Sequence, residues 1–375
     1  MAEKERKVKE REIAEGSEVI KKFEDKSKKV FDDIVELKLP KLEIPLRNLQ
    51  NVELDKEKGH FVQLGKMKER NLTASTIKTF AQTLRMMSMS KEIVEKDDIA
   101  TKREAYYVSK NWGDARFNEQ PESDAVMDDI EAMMEVNREQ LGFIPEEKGG
   151  EVAGEIIVID RDSETGKEIE IDCTKMGSGA YSAPSSCEHL KFKTNAKFIL
   201  AIETAGMFQR LVKHKYWKKA NCILISMGGV PSRACRRFIR RLSEDKKIPV
   251  YAFTDGDFYG FMNIYRTLKV GSGNASHINE YFCVPDAKFI GVTPQDIIDY
   301  NLPTHPLKEV DIKRGKDAIK NDPFVHSHKE WQRAIELQLK LGKRAEQQAF
   351  AAYNLNYVMD EYLPRKLKDA KTWLP

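Results

Sequence analysis

Three carboxylates in this chain stand where neighbouring strands of a sheet would bring them together. Glu203 directly follows the apolar run Phe198-Ile199-Leu200-Ala201-Ile202, and Asp255-Gly256-Asp257 comes just after Pro249-Val250-Tyr251-Ala252-Phe253. Asp255 and Asp257 are two residues apart, so an extended segment turns both to one side, and Gly256 lets the backbone turn tightly between them. Carboxylates gathered at one edge repel one another unless a cation neutralises them. Oxygen donors with no His or Cys set nearby suit Mg²⁺ rather than zinc. Read singly, the same acids are helix caps and loop residues, and Asp-x-Asp alone is a weak signal. Its coupling to Glu203 is what favours a metal site.

A second chemical feature is the pair Tyr106-Tyr107. Thr101 and Glu104 have the spacing of a capping box, which starts a helix at Lys102. Arg103 then lies four residues before Tyr107, one turn away on the same face, while Tyr106 points about 100° elsewhere. A phenol titrates at about pH 10, so a nucleophilic tyrosine needs a base, a metal or cationic surroundings. Spacing alone makes neither tyrosine a nucleophile: adjacent tyrosines ordinarily divide into one core and one surface residue.

The elements that must position these groups are legible as patterns. The two apolar runs, with Cys222-Ile223-Leu224-Ile225-Ser226 between them, are short, continuously apolar and separated by helical segments rich in Lys and Arg. That is the pattern of buried parallel strands with crossover helices, and such open sheets bind ligands outside the carboxyl ends of the strands. An acid after one strand and Asp-x-Asp after a later one resembles the Toprim domain of topoisomerases, primases and some nucleases. Upstream, Ile77, Phe80, Leu84 and Met87 share one helical face, the tyrosine helix follows, and a third helix is capped by Ser123 and apolar at Val126, Ile130 and Met133. Runs 155–159 and 168–171 alternate around the turn 162–166, as a hairpin wing would.

The predicted fold is therefore α/β and multidomain, with a winged-helix (CAP-like) domain over 74–172 and a Toprim parallel-sheet domain over 173–375. Helical segments are expected at both ends. Residues 1–73 read as a charged extension through about residue 15, a docked helix carrying Val19, Ile20, Phe23, Val30 and Phe31, and small strands. At the other end Trp331, Ile335 and Leu339 repeat at helical spacing, which predicts packing on the sheet or a share in a dimer interface.

Composition narrows the classes. The 375 residues hold 63 Lys and Arg against 60 Asp and Glu, a net charge of +3, so any nucleic-acid surface is local rather than global. Arg233, Arg236, Arg237, Arg240 and Arg241 form i,i+4 pairs on one helical face, and Lys213, His214, Lys215, Lys218 and Lys219 crowd the preceding crossover. By itself such a run is a solvated face; beside a Toprim edge it predicts a groove for the DNA backbone, salt-dependent and blind to sequence. Five unpatterned cysteines predict a reducing cytosol. The absence of an apolar leader or a membrane-length run predicts a soluble chain with no membrane partner that is not exported. Gly177-Ser-Gly179 and Gly271-Ser-Gly273 are not Walker sequences, and Gly166-Lys167 is followed by Glu168, so no ATP site is visible. His305, His326 and His328 read as structural or exposed rather than as zinc ligands.

Four stretches in order, Arg103-Glu-Ala-Tyr-Tyr107, Glu203-Thr-Ala-Gly-Met-Phe208, Gly228-Gly-Val-Pro-Ser-Arg-Ala-Cys-Arg-Arg-Phe238 and Thr254-Asp-Gly-Asp-Phe-Tyr-Gly260, resemble the A subunits of DNA topoisomerase VI. That family also includes the eukaryotic protein that makes meiotic double-strand breaks; the resemblance runs from roughly residue 70 to the C-terminus and is of the archaeal style. It implies Tyr107 as nucleophile with Arg103 beside it, and Glu203, Asp255 and Asp257 as ligands of Mg²⁺. It further implies reversible 5′-phosphotyrosyl double-strand breaks, ATP-dependent duplex passage of the type IIB class, and relaxation or decatenation of double-stranded DNA. An ATPase B subunit in an A2B2 assembly, a homodimer in which the tyrosine of one protomer works with the acids of the other, and a cytoplasmic, nucleoid-associated location follow from the same source. Two other readings remain: a Toprim nuclease or primase needing only the three acids, and a non-catalytic winged-helix DNA-binding protein needing none of the four residues.

Overall fold

A computed structural model describes residues 16–144 and 149–375; the charged extension expected over the first fifteen residues lies outside them. The described residues form two compact units, one drawn from 16–53, 62–144 and 273–280, the other from 54–61, 149–272 and 281–375.

The first unit is mainly helical. Helix Gly16–Val35 buries Val19, Phe23 and Val30 and packs on helix Ile77–Glu95, which buries Phe80, Met86 and Met87. The first helix docks through Val19, Phe23 and Val30 as the sequence predicts, but Phe31 is exposed, and the Met-rich core face holds without Ile77, which is also exposed. Strand Lys41–Pro45 pairs antiparallel with Met67–Asn71, and Ala100–Thr101 pairs in parallel with Phe143–Ile144. Helix Gln120–Met134 begins earlier than expected, with Glu119 as its N-cap and a proline in its first turn. Proline suits that turn because its missing N–H would have no partner there. Ser123 is therefore not the cap; it lies inside the helix and its hydroxyl donates to the Gln120 carbonyl at 2.8 Å.

On the same helix the buried Asp129 accepts from Arg47 Nε at 2.9 Å, Lys68 Nζ at 3.1 Å and Arg70 Nη2 at 2.6 Å. Burial opposes its ionisation, but Arg47 and Lys68 outweigh that and hold its pKa below the usual carboxylate range. Asp129→Ala leaves these cations facing a void, and a loss of about 3–5 kcal/mol in urea unfolding is expected. An unchanged unfolding midpoint would mean that water replaces the carboxylate without cost.

The second unit is built on a six-stranded sheet. Its strands run, in spatial order, Tyr181–Ser182, Glu151–Gly154, Cys222–Ser226, Phe198–Ile202, Val250–Phe253 and Lys288–Gly291. The three apolar runs are the parallel centre, with Ile199 opposite both Ile223 and Val250. The strands Phe198–Ile202 and Cys222–Ser226 are buried at every residue. Helices Ala205–Lys213, Tyr216–Ala220 and Arg233–Lys246 make the crossovers. A fourth parallel strand, Lys288–Gly291, begins on a lysine and ends on a glycine and so does not stand out as an apolar run, and Glu151–Gly154 is an antiparallel neighbour with no strand-like pattern of its own.

The expected wing is placed differently. Strands Ile157–Arg161 and Glu168–Asp172 do form a hairpin, but with Lys191–Lys193 they make a three-stranded sheet within this second unit. Its buried Val158 and Phe192 need an apolar cover. Phe238 of helix Arg233–Lys246 supplies it, meeting Phe192 edge-on at 5.2 Å. Compactness accordingly does not break at the predicted boundaries 73 and 172.

The C-terminal segment packs on the sheet: Leu374 bridges to Phe289, Trp373 lies 4.9 Å from Tyr251, and Met359 and Tyr362 join the core around Phe253 and Ile290. Trp331 is buried against Tyr265. All five cysteines are buried, unpaired thiols. No helix among the described residues is long and apolar enough to cross a membrane.

Candidate active site

Parallel register sets Ile202 beside Phe253, so Glu203 and Thr254 leave the sheet side by side at its carboxyl edge. The Glu203 N–H still donates to the Phe253 carbonyl at 3.0 Å, and Gly229 N–H donates to the Glu203 carbonyl, also at 3.0 Å. Gly228 and Gly229 have φ of 67° and 91°, a left-handed turn that glycine adopts without strain. The acids are then fixed one by one. Glu203 Oε2 accepts the Asp255 N–H at 2.8 Å, Asp255 Oδ1 accepts the Gln347 N–H at 2.8 Å, and Asp257 Oδ1 accepts the Gly260 N–H at 2.7 Å. Each carboxylate is anchored to backbone through one oxygen, and Glu203 and Asp255 keep the other. Gly260 is required for this turn, since a Cβ there would sit 2.5 Å from the Asp255 carbonyl and 2.8 Å from Thr254 Oγ1.

Burial, then the charge of Asp255, pushes the Glu203 carboxyl up to about 8. Asp255 is raised to about 6, by burial first and also by Asp257 and Glu346, against the lowering effect of the Gln347 N–H and of Arg344. Asp257 has a partial counterion, Arg344 Nη1 at 3.5 Å from its Oδ2. Three mutually repelling carboxylates with anchored backbones and one uncommitted oxygen each on Glu203 and Asp255 fit a hard divalent cation. Among the described residues, no three His, Cys, Asp or Glu side chains stand close enough together to hold a metal ion as they are placed. The fit therefore rests on donor chemistry and shared field rather than on a preformed cage.

Sequence reasoning missed one wall of this site. The segment 343–347, some ninety residues beyond Asp255, runs along Asp255-Gly256-Asp257: Gly256 N–H donates to the Ala345 carbonyl at 2.8 Å, and Gln338 Nε2 donates to the carbonyls of Gly256 and Lys343. The buried Gln347 side chain donates to the Phe253 carbonyl at 2.8 Å and accepts from Thr204 Oγ1 at 2.9 Å. Glutamines carry no periodicity or motif that would have marked them.

In the first unit, helix Lys102–Val108 has the predicted capping box, with Thr101 Oγ1 accepting the Glu104 N–H at 3.1 Å and Glu104 Oε2 accepting the Thr101 N–H at 2.7 Å. The two tyrosines are treated unequally. Tyr106 OH donates to the Asn118 carbonyl at 3.0 Å, and Lys110 Nζ lies 4.1 Å above its ring. Tyr107 is 56% exposed, and its hydroxyl makes no hydrogen bond to any described residue. Arg103 is exposed one turn before it.

The arginine row differs from its predicted role. Arg236 and Arg240 are buried. Arg236 Nη1 donates to the Thr267 carbonyl, and Arg240 donates to the Cys283 carbonyl and to Glu244. Arg237 makes a bidentate pair with Glu188 and Arg241 reaches the carbonyls of Cys187 and Leu190. Arg233 is half-buried in the first turn. Through these bonds Arg236, Arg237, Arg240 and Arg241 tether the helix to surrounding loops, so these guanidinium groups are engaged within the fold rather than lying along an exposed face. Lys213, His214, Lys215, Lys218 and Lys219 are exposed, but they precede strand Cys222–Ser226 and so lie toward the amino ends of the strands, not beside the acids. His326 and His328 each face a backbone carbonyl, and His305 is exposed.

A mixed sheet with a glutamate after one parallel strand and Asp-Gly-Asp after its neighbour defines a Toprim domain, and the matches to known proteins agree. Residues 198–367 match the family described as the Toprim domain of Spo11 and of the topoisomerase 6 A subunit. Residues 146–196 match the all-beta domain in DNA topoisomerase VI alpha subunit, and residues 78–143 match the type IIB DNA topoisomerase family. The chain is 54% identical over 365 residues to the A subunit of type 2 DNA topoisomerase 6 from Methanocaldococcus jannaschii, covering 97% of each. It is 37% identical to proteins of the same name from Methanothermobacter thermautotrophicus, over 96% of this chain and 98% of that one, and from Pyrococcus abyssi, over 98% of both. The chain belongs to the family of type 2 DNA topoisomerase 6 A subunits. It is a topoisomerase enzyme, the DNA-cleaving subunit of the type IIB class.

Proposed function

We propose that Tyr107 is the nucleophile and that Glu203, Asp255 and Asp257 hold Mg²⁺ during cleavage. The observation that carries the choice of tyrosine is the contrast above: Tyr106 is tied to Asn118 and Lys110, whereas the Tyr107 hydroxyl stands exposed with no partner among the described residues. The helices Ile77–Glu95, Lys102–Val108 and Gln120–Met134, with their short strand pair, are read as a winged-helix (CAP-like) module that presents it, the hairpin 157–172 excluded. In the reaction the Tyr107 oxygen bonds to a backbone phosphorus and the bond to the 3′ oxygen breaks, so the phenol proton is lost and the 3′ hydroxyl gains one. Arg103, one turn away, lowers the cost of phenolate and binds the phosphate. Mg²⁺, when bound, supplies charge that steadies the scissile phosphate and the departing 3′ oxygen. The phosphodiester stored on Tyr107 keeps the bond energy, so resealing by the 3′ hydroxyl needs no ATP.

No Walker sequence is present, so duplex passage draws ATP from a B subunit. Family membership supports an A2B2 assembly in the cytoplasm at the nucleoid, with the tyrosine of one protomer working beside the acids of its partner. The test is plasmid cleavage with Mg²⁺, ATP and a B subunit, stopped with SDS and scored for protein on 5′ ends. Double-strand breaks carrying 5′-linked protein are expected. Protein-free breaks that need Asp255 would make the chain a Toprim nuclease, and no breaks under any condition would leave DNA binding alone.

A further inference from the structure

Gly256 and Ala345 form an antiparallel bridge, with the Gly256 N–H donating to the Ala345 carbonyl at 2.8 Å and the Ala345 N–H returning to the Gly256 carbonyl at 3.3 Å. In an antiparallel pair, residues flanking a bridge face each other across the strands on the opposite side of the pleat, at the closer spacing. The flanking pairs here are Asp257 with Arg344 and Asp255 with Glu346. The first is an observed ion pair at 3.5 Å. The second sets two carboxylates against each other, and Gln347, the next residue, donates its N–H to Asp255 Oδ1, which fixes the strap against that acid. Glu346 is exposed, and its carboxylate has no hydrogen-bond or ion-pair partner among the described residues. Like charges directly opposite destabilise a strand pair, and a divalent cation between Asp255 and Glu346 would turn that repulsion into shared ligation.

We propose that Glu346 is a fourth oxygen donor to the metal centre, brought across from the C-terminal part of the chain, and that Arg344 keeps the Asp257 side from becoming a second equivalent acidic pair. This rests on the reading that Glu203, Asp255 and Asp257 bind Mg²⁺. The strap then has a function besides packing: it makes the metal site depend on residues about ninety positions away, so the centre is complete only when segment 343–347 is in place.

The test is metal binding by the full-length chain without DNA, followed by Mn²⁺ electron paramagnetic resonance and by Mg²⁺-induced thermal stabilisation. Glu346→Gln is expected to weaken Mn²⁺ binding by roughly ten- to a hundredfold and to shrink the Mg²⁺ shift, while the melting temperature without metal stays the same or rises. Glu346→Asp should recover part of the affinity, which a purely steric role would not produce. Asp257→Asn is the control for the underlying site. If Asp257→Asn abolishes binding and Glu346→Gln leaves it unchanged, Glu346 is not a ligand and this inference fails alone. If neither substitution changes Mn²⁺ affinity, the three-acid site itself is wrong.

Discussion

Tyr107→Phe is expected to abolish the covalent DNA adduct outright while leaving the protein folded. The substitution removes one exposed oxygen with no hydrogen-bond partner among the described residues, and the ring contact with Tyr106, at 5.4 Å between centroids, survives. Stability should therefore change by no more than about 0.5 kcal/mol, and binding to DNA should persist, because phosphate contacts do not need the phenol. Tyr106→Phe should behave in the opposite way. It loses the hydroxyl bond to Asn118, about 1 kcal/mol, yet keeps 5′-linked protein on cleaved ends. Arg103→Ala is expected to slow adduct formation by about a hundredfold, the usual effect of deleting one charge-stabilising group. Adducts that persist in Tyr107→Phe and vanish in Tyr106→Phe would move the nucleophile by one residue and require Tyr106 to leave Asn118 before it reacts.

What could be read in advance divides along a physical line. The central strands were legible because a strand buried on both faces must be apolar at every position, which makes Phe198–Ile202 and Cys222–Ser226 stand out in a charged chain. The capping box at Thr101 was legible because it is a local contact within four residues. The hairpin at 157–172 was also seen, but its owner was not: whether a β-ribbon lies on one set of helices or another is settled by a partner such as Phe238, about seventy residues later. The arginine row shows the converse case for exposure. Its i,i+4 spacing is what an exposed cationic face looks like, and only tertiary structure reveals that Arg236, Arg237 and Arg240 are absorbed by Thr267, Glu188 and Cys283. That Glu203, Asp255 and Asp257 share one sheet edge follows from strand order, whereas Gln347 and Glu346 reach the same edge from a segment with no pattern at all.

Asp255→Asn should give the largest opposed pair of effects, loss of cleavage together with a gain in stability. Asp255 in the folded protein is raised to about 6 and Glu203 to about 8, both first by burial, while in the unfolded chain each titrates at about 4. A carboxyl that holds its proton more tightly when folded stabilises fully below the unfolded pKa, and that contribution is lost as pH rises through the folded value. The metal-free protein should accordingly lose stability between about pH 4 and 8, the Asp255 part being complete a little above pH 6 and worth about 3 kcal/mol. Asparagine keeps an oxygen for the Gln347 N–H and removes the buried charge, so Asp255→Asn should make the metal-free profile shallower, leaving the Glu203 part, and melt higher than wild type at pH 8. Mg²⁺ acts against the same repulsion and binds only the ionised acids, so its stabilising effect on wild type should grow from pH 6 to pH 8 and be largely absent in the variant. Thermal unfolding across that range, with and without Mg²⁺, measures all three. A wild-type profile that is flat with pH and indifferent to Mg²⁺ would mean that these carboxylates are neither in repulsion nor a metal site, and the cleavage defect of Asp255→Asn would then need another cause.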